Sequence, residues 1–110
     1  MDELIIIKTT VKNKITKNNI INELIINDYV SCINVIDNVS SHYKWQGNAE
    51  SEREDILFIK TMKRNEKLVY EVIRAMHDYE IPEIITIAVK NVDSSYLIWA
   101  NESVVNKKYD

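Results

Sequence analysis

The chain has 110 residues, of which 45% are apolar and 28% charged, and its formal net charge is −3 at pH 7. This length suits a single domain, residues 1–110, and the composition is neither that of a disordered chain nor that of a membrane protein. Lysine and arginine are scattered among acidic residues, so no basic stripe points to a nucleic-acid partner.

The first two predicted elements are a strand and a helix. Residues 4–10 form an aliphatic and β-branched run, typical of a strand buried on both faces. After Thr16, a candidate N-cap, apolar residues such as Ile20, Leu24 and Ile25 recur at helical spacing, while lysine and asparagine fill the other face. We therefore expect a helix to follow the first strand.

Residues 32–62 predict a long β-hairpin. After Cys32 the hydrophobic period changes to two, which is typical of a strand with alternating faces. The residues expected to share one face of this strand are Ile33, Val35, Val39, Tyr43 and Trp45. A turn is predicted at Gln46, Gly47 and Asn48, because glycine adopts a positive φ without a Cβ clash. The return arm begins with the polar run NAESERED and ends apolar.

This hairpin is longer than the sheet of a small domain can cover. At about 3.3 Å per residue, each arm would reach on the order of 45 Å. Its outer part must therefore stand free or find a partner, and unpaired strand edges are readily covered by another subunit. We expect the chain to form an oligomer.

Two more helices and one strand complete the prediction. Asn65 is a candidate N-cap for a helix that runs to about Tyr79, and Pro82 prevents its continuation. Residues 84–89 read as a strand, and Asp93 is placed to cap a short final helix. The resulting β-α-β-β-α-β order is an α+β, ferredoxin-like arrangement with two helices on one face of an antiparallel sheet.

Several classes of function and location are disfavoured. The N-terminal segment MDELIIIKTT lacks the features of an export signal, and the longest aliphatic run, residues 4–7, is far shorter than the roughly 20 residues of a spanning helix. We therefore expect a cytoplasmic protein with no membrane anchor. The chain has one glycine and so no glycine-rich phosphate loop, and its one cysteine excludes an internal disulfide.

Five segments occur in an order and spacing that resemble one known family. They are SCINVI, SSHYKWQG, LFIKT, HDYEIPEII and SSYLIWANES. They include the spaced groups Tyr43-x-Trp45, Tyr79-x-x-Pro82-Glu83 and Tyr96-x-x-Trp99. Across residues 31–104 the chain thereby resembles the CutA family of divalent-cation tolerance proteins.

The resemblance implies a ferredoxin-like subunit in a homotrimer whose hairpins pair between subunits, an architecture similar to that of PII signalling proteins. It also implies tolerance of copper and other divalent cations, and some members bind copper. The chain departs from the family at Thr9, where certain members have a cysteine, and at Met76, where some have a histidine. A metal site of the kind found in those members would keep few of its ligands here.

The candidate metal ligands are Cys32, His77 and Glu83. Thiolate and imidazole bind copper strongly, and the family pattern places Tyr79 and Lys60 near Glu83. Each candidate also has a structural interpretation. Cys32 is typical of a small buried residue, His77 suits a helix C-terminus, and Glu83 suits a salt bridge between subunits.

Acidic and aromatic residues offer a second set of candidates. The acidic ones, Glu50, Glu52, Glu54 and Asp55, follow one another on the return arm. In a trimer they would either line a cleft that attracts cations or form a solvated face. The aromatic ones, Tyr43, Trp45, Tyr96 and Trp99, suit either a binding pocket or a subunit interface, and we favour the interface.

No Ser-His-Asp, Cys-His, HExxH or CxxC arrangement is found, so an enzyme with active sites between subunits is the weakest of three hypotheses and two others are favoured. The first is a homotrimer that contributes to divalent-cation tolerance by binding copper or other divalent cations weakly at sites between subunits. The alternative is a PII-like signalling or scaffold trimer that binds a small anion or a partner protein in those clefts.

Overall fold

The structure of the protein is a computed structural model that describes residues 2–105. Within this range the strands are β1 (Leu4–Val11), β2 (Cys32–Trp45), β3 (Asn48–Met62) and β4 (Ile85–Ala88). The helices are α1 (Lys14–Ile26), α2 (Glu66–Met76) and α3 (Ser94–Ser103), and a short 3-10 turn, Lys63–Asn65, precedes α2. The predicted order of elements is confirmed. No helix in this range is long and apolar enough to cross a membrane.

The four strands form one antiparallel sheet in the order β2-β3-β1-β4. Odd-numbered residues of β1 and β3, such as Ile7 and Ile59, point towards α1 and α2, where Ile20 and Ile73 are also fully buried. This confirms the predicted α+β arrangement, in which two helices cover one face of the sheet.

The opposite side of the sheet, here called the open face, is formed by the even-numbered residues of β1 and β3 and their neighbours. Helix α3 covers it only at one end, where Leu4 and Met62 pack with Ala100 and Val104. Elsewhere the face carries apolar side chains that stay between 39% and 48% exposed: Ile36, Ile85 and Ile87. A face of this kind is typical of a surface that another protein covers.

The hairpin and its turn are confirmed. Gln46 and Gly47 both have positive φ, 50° and 83°, which is the geometry of a two-residue turn that matches the twist of its strands. Strand β1 pairs with β3 only as far as the Val11–Asp55 pair. Within the described chain, residues 39–54 therefore pair only with one another. They form a ribbon that protrudes from the sheet, and the longest dimension of the molecule is 45 Å.

The predicted alternation of β2 is wrong beyond Ile36, because the strand contains a β-bulge. Ile33 and Val35 lie opposite Ile59 and Leu57 on the helix side, but Tyr43 lies opposite Glu50 on the open face. The extra residue turns the following side chains to the other face of the sheet. Asn38 accommodates it with a φ of 58°, and asparagine tolerates this left-handed conformation better than most residues do.

Of the three predicted N-cap residues, Thr16 is wrong, Asn65 occupies the N-cap position without making a side-chain capping bond, and Asp93 is confirmed. Asn13, and not Thr16, caps α1, because its Oδ1 accepts the Thr16 N–H at 2.9 Å. Asn65 precedes α2, but its side-chain amide donates to the carbonyls of Tyr29 and Val105. Asp93 does cap α3, since its carboxylate accepts the Tyr96 N–H.

Helix α2 also ends earlier than predicted. It stops at Met76 rather than near Tyr79, because His77 has the extended angles φ −70° and ψ 141°. Residues 77–83 therefore form an irregular segment that bends at residues 79–81, and not the last turn of a helix.

Thr9 carries a buried hydroxyl that has no hydrogen-bond partner among residues 2–105. Such a group costs about 1–3 kcal/mol, and valine has nearly the same shape without the hydroxyl. We therefore expect Thr9→Val to raise the free energy of unfolding by about 1 kcal/mol in urea denaturation. Thr61→Val is the control, since the equally buried Thr61 hydroxyl donates to the Tyr29 carbonyl at 2.8 Å and its loss should destabilise. Destabilisation by both changes would contradict this account of Thr9.

Candidate functional site

A cleft of about 790 Å³ lies between the outer hairpin and the segment 77–83. Five glutamates line it, and it is called the acidic cleft from here on: Glu50, Glu52, Glu54, Glu80 and Glu83. Three of them alternate along β3 and so point to the same face of the hairpin. Tyr43 and Trp45, which the bulge turns to that face, and Tyr79 supply aromatic walls.

The inner end of the acidic cleft holds a buried carboxylate. Glu54 is only 8% exposed, and the Tyr79 hydroxyl donates to its Oε2 at 2.5 Å. Burial, reinforced by the neighbouring Glu54 carboxylate, raises the pKa of Tyr79 well above its usual value. Tyr79 therefore stays protonated at physiological pH and acts as a neutral donor.

The rim of the cleft contains two ion pairs. Lys12 lies 3.6 Å from Glu52, and Lys8 lies 3.0 Å from Glu83. The predicted neighbour of Glu83, Lys60, lies instead over the ring of Tyr96, with its Nζ 5.7 Å from the ring centroid. These rim pairs are partly exposed, so each contributes little to stability. Each glutamate can therefore release its lysine and bind another cation.

His77 holds the segment 77–83 against β1. Its Nε2 donates to the Thr10 carbonyl at 2.8 Å, and its Nδ1 accepts the Tyr79 N–H at 3.2 Å. The Asp78 carboxylate is 3.5 Å from Nδ1, which would be an ion pair only with a protonated ring. The bond from the Tyr79 N–H requires a lone pair on Nδ1, so we assign the neutral ring with its proton on Nε2. A metal would have to displace one of these two hydrogen bonds.

Cys32 lies away from His77. It is partly buried at the start of β2 on the open face, opposite Lys60. His77 contacts Thr10, which pairs with Ile56 of β3. Ile56 and Lys60 are four residues apart along β3, so the positions of His77 and Cys32 are separated by about 13 Å along the strand. One subunit thus does not unite Cys32, His77 and Glu83. Among residues 2–105, no three His, Cys, Asp or Glu side chains are arranged to hold a metal ion.

The sequence predicts the acidic run of the return arm. It was not predicted that Glu54 and Asp55 lie on opposite faces of the sheet. Asp55 follows Glu54 in the chain but points to the other face of the sheet, where it contacts Lys14 and Lys17 at 2.5 and 3.0 Å. Strand alternation was the signal that separates the two residues. Tyr79 was expected near Glu83, and its hydrogen bond to Glu54 had no signal in the sequence.

Comparison with known proteins gives a consistent result. A family model described as "CutA1 divalent ion tolerance protein" matches residues 5–103. The divalent-cation tolerance protein CutA of Thermotoga maritima is 37% identical over 76 residues, which cover 69% of this chain and 74% of that protein. The chloroplastic protein CutA of Arabidopsis thaliana is 28% identical over 102 residues, which cover 93% of this chain.

The chain spans 56% of the length of the chloroplastic relatives from Arabidopsis thaliana and Oryza sativa. The fold extends over nearly all of a solved relative. The crystal structure of CutA1 from Oryza sativa superimposes with a TM-score of 0.90 at 27% identity, and the match covers 96% of this chain and 97% of that one.

Proposed function

The chain belongs to the CutA1 divalent ion tolerance family, and we propose that it contributes to divalent-cation tolerance by binding such cations weakly in the acidic cleft. The observation that carries this proposal is the cluster of five glutamates around one cleft of about 790 Å³. Carboxylate oxygens attract divalent cations, and their concentration in a cleft strengthens the local field. The role is binding and not catalysis.

We propose further that the working form is a homotrimer in which a neighbouring subunit completes each acidic cleft. Two features support an assembly: the open face with its exposed isoleucines, and the protruding ribbon of residues 39–54. Both expose surface that a lone subunit cannot cover. A neighbour would also supply the ligands that a single subunit lacks for a closed metal site.

The charge of the cleft argues against the alternative, a PII-like trimer that binds a small anion. Five glutamates line the cleft, and of the lysines only Lys12 does so, already lying beside Glu52. An anion would meet like charge on most sides, which costs free energy at short range. We therefore favour cations over anions as ligands.

The metal preference follows from the available donor atoms. Carboxylate oxygens bind hard divalent cations and also Zn²⁺, whereas copper prefers imidazole and thiolate. The assignment of Cys32, His77 and Glu83 as copper ligands stays a prediction, and it requires that different subunits bring these residues together. Glu83 belongs to both possible ligand sets.

Titration calorimetry with Zn²⁺ and Cu²⁺ tests the proposal. We expect the double variant Glu80→Gln, Glu83→Gln to bind both ions about tenfold more weakly than wild type, because two of the five carboxylates are lost. Glu71→Gln, an exposed change on α2, is the matched control and should bind as wild type does. If Cys32→Ala or His77→Ala abolishes binding while the glutamate variant binds normally, the acidic cleft is not the site.

A further inference from the structure

One buried carboxylate in the acidic cleft has no counter-charge. Glu54 is 92% buried, being 8% exposed, and no lysine, arginine or histidine among residues 2–105 lies within salt-bridge distance of it. Its one hydrogen bond in this range comes from the neutral Tyr79 hydroxyl to Oε2, and none reaches Oε1. A buried charge is normally paired, because the protein interior compensates poorly for lost hydration.

The neighbouring residue shows how this chain pairs a buried acid. Asp55, 2% exposed, receives hydrogen bonds from Lys14, Lys17 and the Asn38 N–H. Glu54 is almost equally buried and lines an open cleft instead of facing a helix. Glu54 Oε1 is not among the fully buried atoms, so a cationic partner can reach it from the cleft.

The walls around this carboxylate are aromatic. Tyr43 and Trp45 line the cleft from the same face of the hairpin as Glu54, and both keep about two-fifths of their surface exposed. Aromatic faces attract ammonium groups and cover the carbon chain that carries them. A bare metal ion would gain little from such walls. A second acid, Glu50, lies directly opposite Tyr43 at the outer end.

We infer that the acidic cleft binds an organic cation with two primary ammonium groups, one paired with the Glu54 carboxylate and the other directed towards Glu50. The carbon chain between the two ammonium groups lies against Tyr43 and Trp45. The cleft volume, about 790 Å³, is in the range of small-molecule sites. This inference shares the cleft with the proposed function but requires no metal, so the two can fail separately.

The test is calorimetric titration of the full-length protein with 1,5-diaminopentane at about 0.15 M salt, with pentane-1,5-diol as the uncharged control ligand. We expect saturable binding of the diamine at one site per subunit and none of the diol. Glu54→Gln should weaken diamine binding at least tenfold, because it keeps an acceptor for Tyr79 and removes only the charge. The exposed change Glu50→Gln should weaken it less, and Glu71→Gln should leave it unchanged.

Three results would overturn the inference. The first is the absence of diamine binding to wild type, even where the same sample binds Zn²⁺, which would leave the proposed function standing. The second is equal diamine affinity in wild type, Glu54→Gln and Glu50→Gln. The third is an oligomer that rejects the diamine and dissociates upon Glu54→Gln, because a basic side chain of a neighbouring subunit would then be the partner of Glu54.

Discussion

Replacing Asp55 by asparagine should lower the free energy of unfolding by about 3 kcal/mol, as expected when one member of a buried ion pair is removed. Asp55 is 2% exposed and joins the N-terminal turn of α1 to the bulge in β2. Asparagine keeps an acceptor for the Asn38 N–H but removes the charge. Lys17, largely buried, then lacks its closest counter-ion, while the more exposed Lys14 can turn to solvent.

Urea denaturation at one fixed protein concentration measures this loss, because an oligomer's stability depends on concentration. The matched control is Asp37→Asn at the same bulge. Asp37 is mostly exposed and lies 3.8 Å from Lys17, so its loss should change stability by no more than about 0.5 kcal/mol. If the two variants lose the same stability, the ion pairs of Asp55 do not hold the bulge to α1.

The same network predicts acid sensitivity. Burial alone would raise the pKa of Asp55, but hydrogen bonds from Lys14, the Asn38 N–H and Lys17 lower it from 3.8 to about 2. Because the pKa of Asp55 is lower in the folded state than in the unfolded state, its ionised carboxylate stabilises the fold at pH values above 3.8. This stabilisation is lost as the pH falls from 3.8 to about 2. The loss is about 2 kcal/mol. Asp55→Asn should flatten the curve of unfolding free energy against pH in this range. Parallel curves for wild type and variant would contradict the lowered pKa of Asp55.

Replacing Phe58 by aspartate should dissociate the proposed trimer into monomers. Phe58 lies half-buried in the middle of the open face, between Lys8 of β1 and Asn34 of β2. A carboxylate buried there would cost several kcal/mol at each subunit contact, because the neighbouring Lys8 is already paired with Glu83. The dissociation constant should therefore rise more than a hundredfold.

Analytical ultracentrifugation measures the molecular mass, which we expect to be three times 12.9 kDa for wild type and 12.9 kDa for the variant. Ile15→Asp, at a position 72% exposed on α1, is the matched control and should leave the wild-type mass unchanged. Circular dichroism checks that Phe58→Asp is folded, and Ile85→Asp on the exposed part of the open face is a second variant. A wild-type mass in both open-face variants would show that subunits do not meet there.

Much of the fold could be predicted because local pattern determines it. The aliphatic runs of β1 and β4, the glycine turn at Gly47 and the Asp93 cap each depend on residues close together in the chain. The bulge in β2 could not be predicted from alternation, because one extra residue changes the face of every later side chain. A residue 17 positions away contacts it, because Asp55 accepts the Asn38 N–H.

The candidate site was predictable only in part for the same reason. The acidic run of the return arm is visible in the sequence, and strand alternation separates Glu54 from Asp55, but the lysines that pair with Asp55 come from α1, far away in the chain. Tyr79 meets Glu54 across 25 residues, and this contact requires that α2 ends early at Met76. Contacts of this range arise from tertiary packing, which no local pattern encodes.

The most direct test of cation binding at an assembled cleft is Zn²⁺ titration of the wild-type oligomer beside the Phe58→Asp monomer. Phe58 does not line the acidic cleft, so the variant keeps all five glutamates and loses only the neighbouring subunit. We predict measurable binding to the oligomer and at least tenfold weaker binding to the monomer. Equal affinity in both forms, or no binding to the oligomer, would contradict the account.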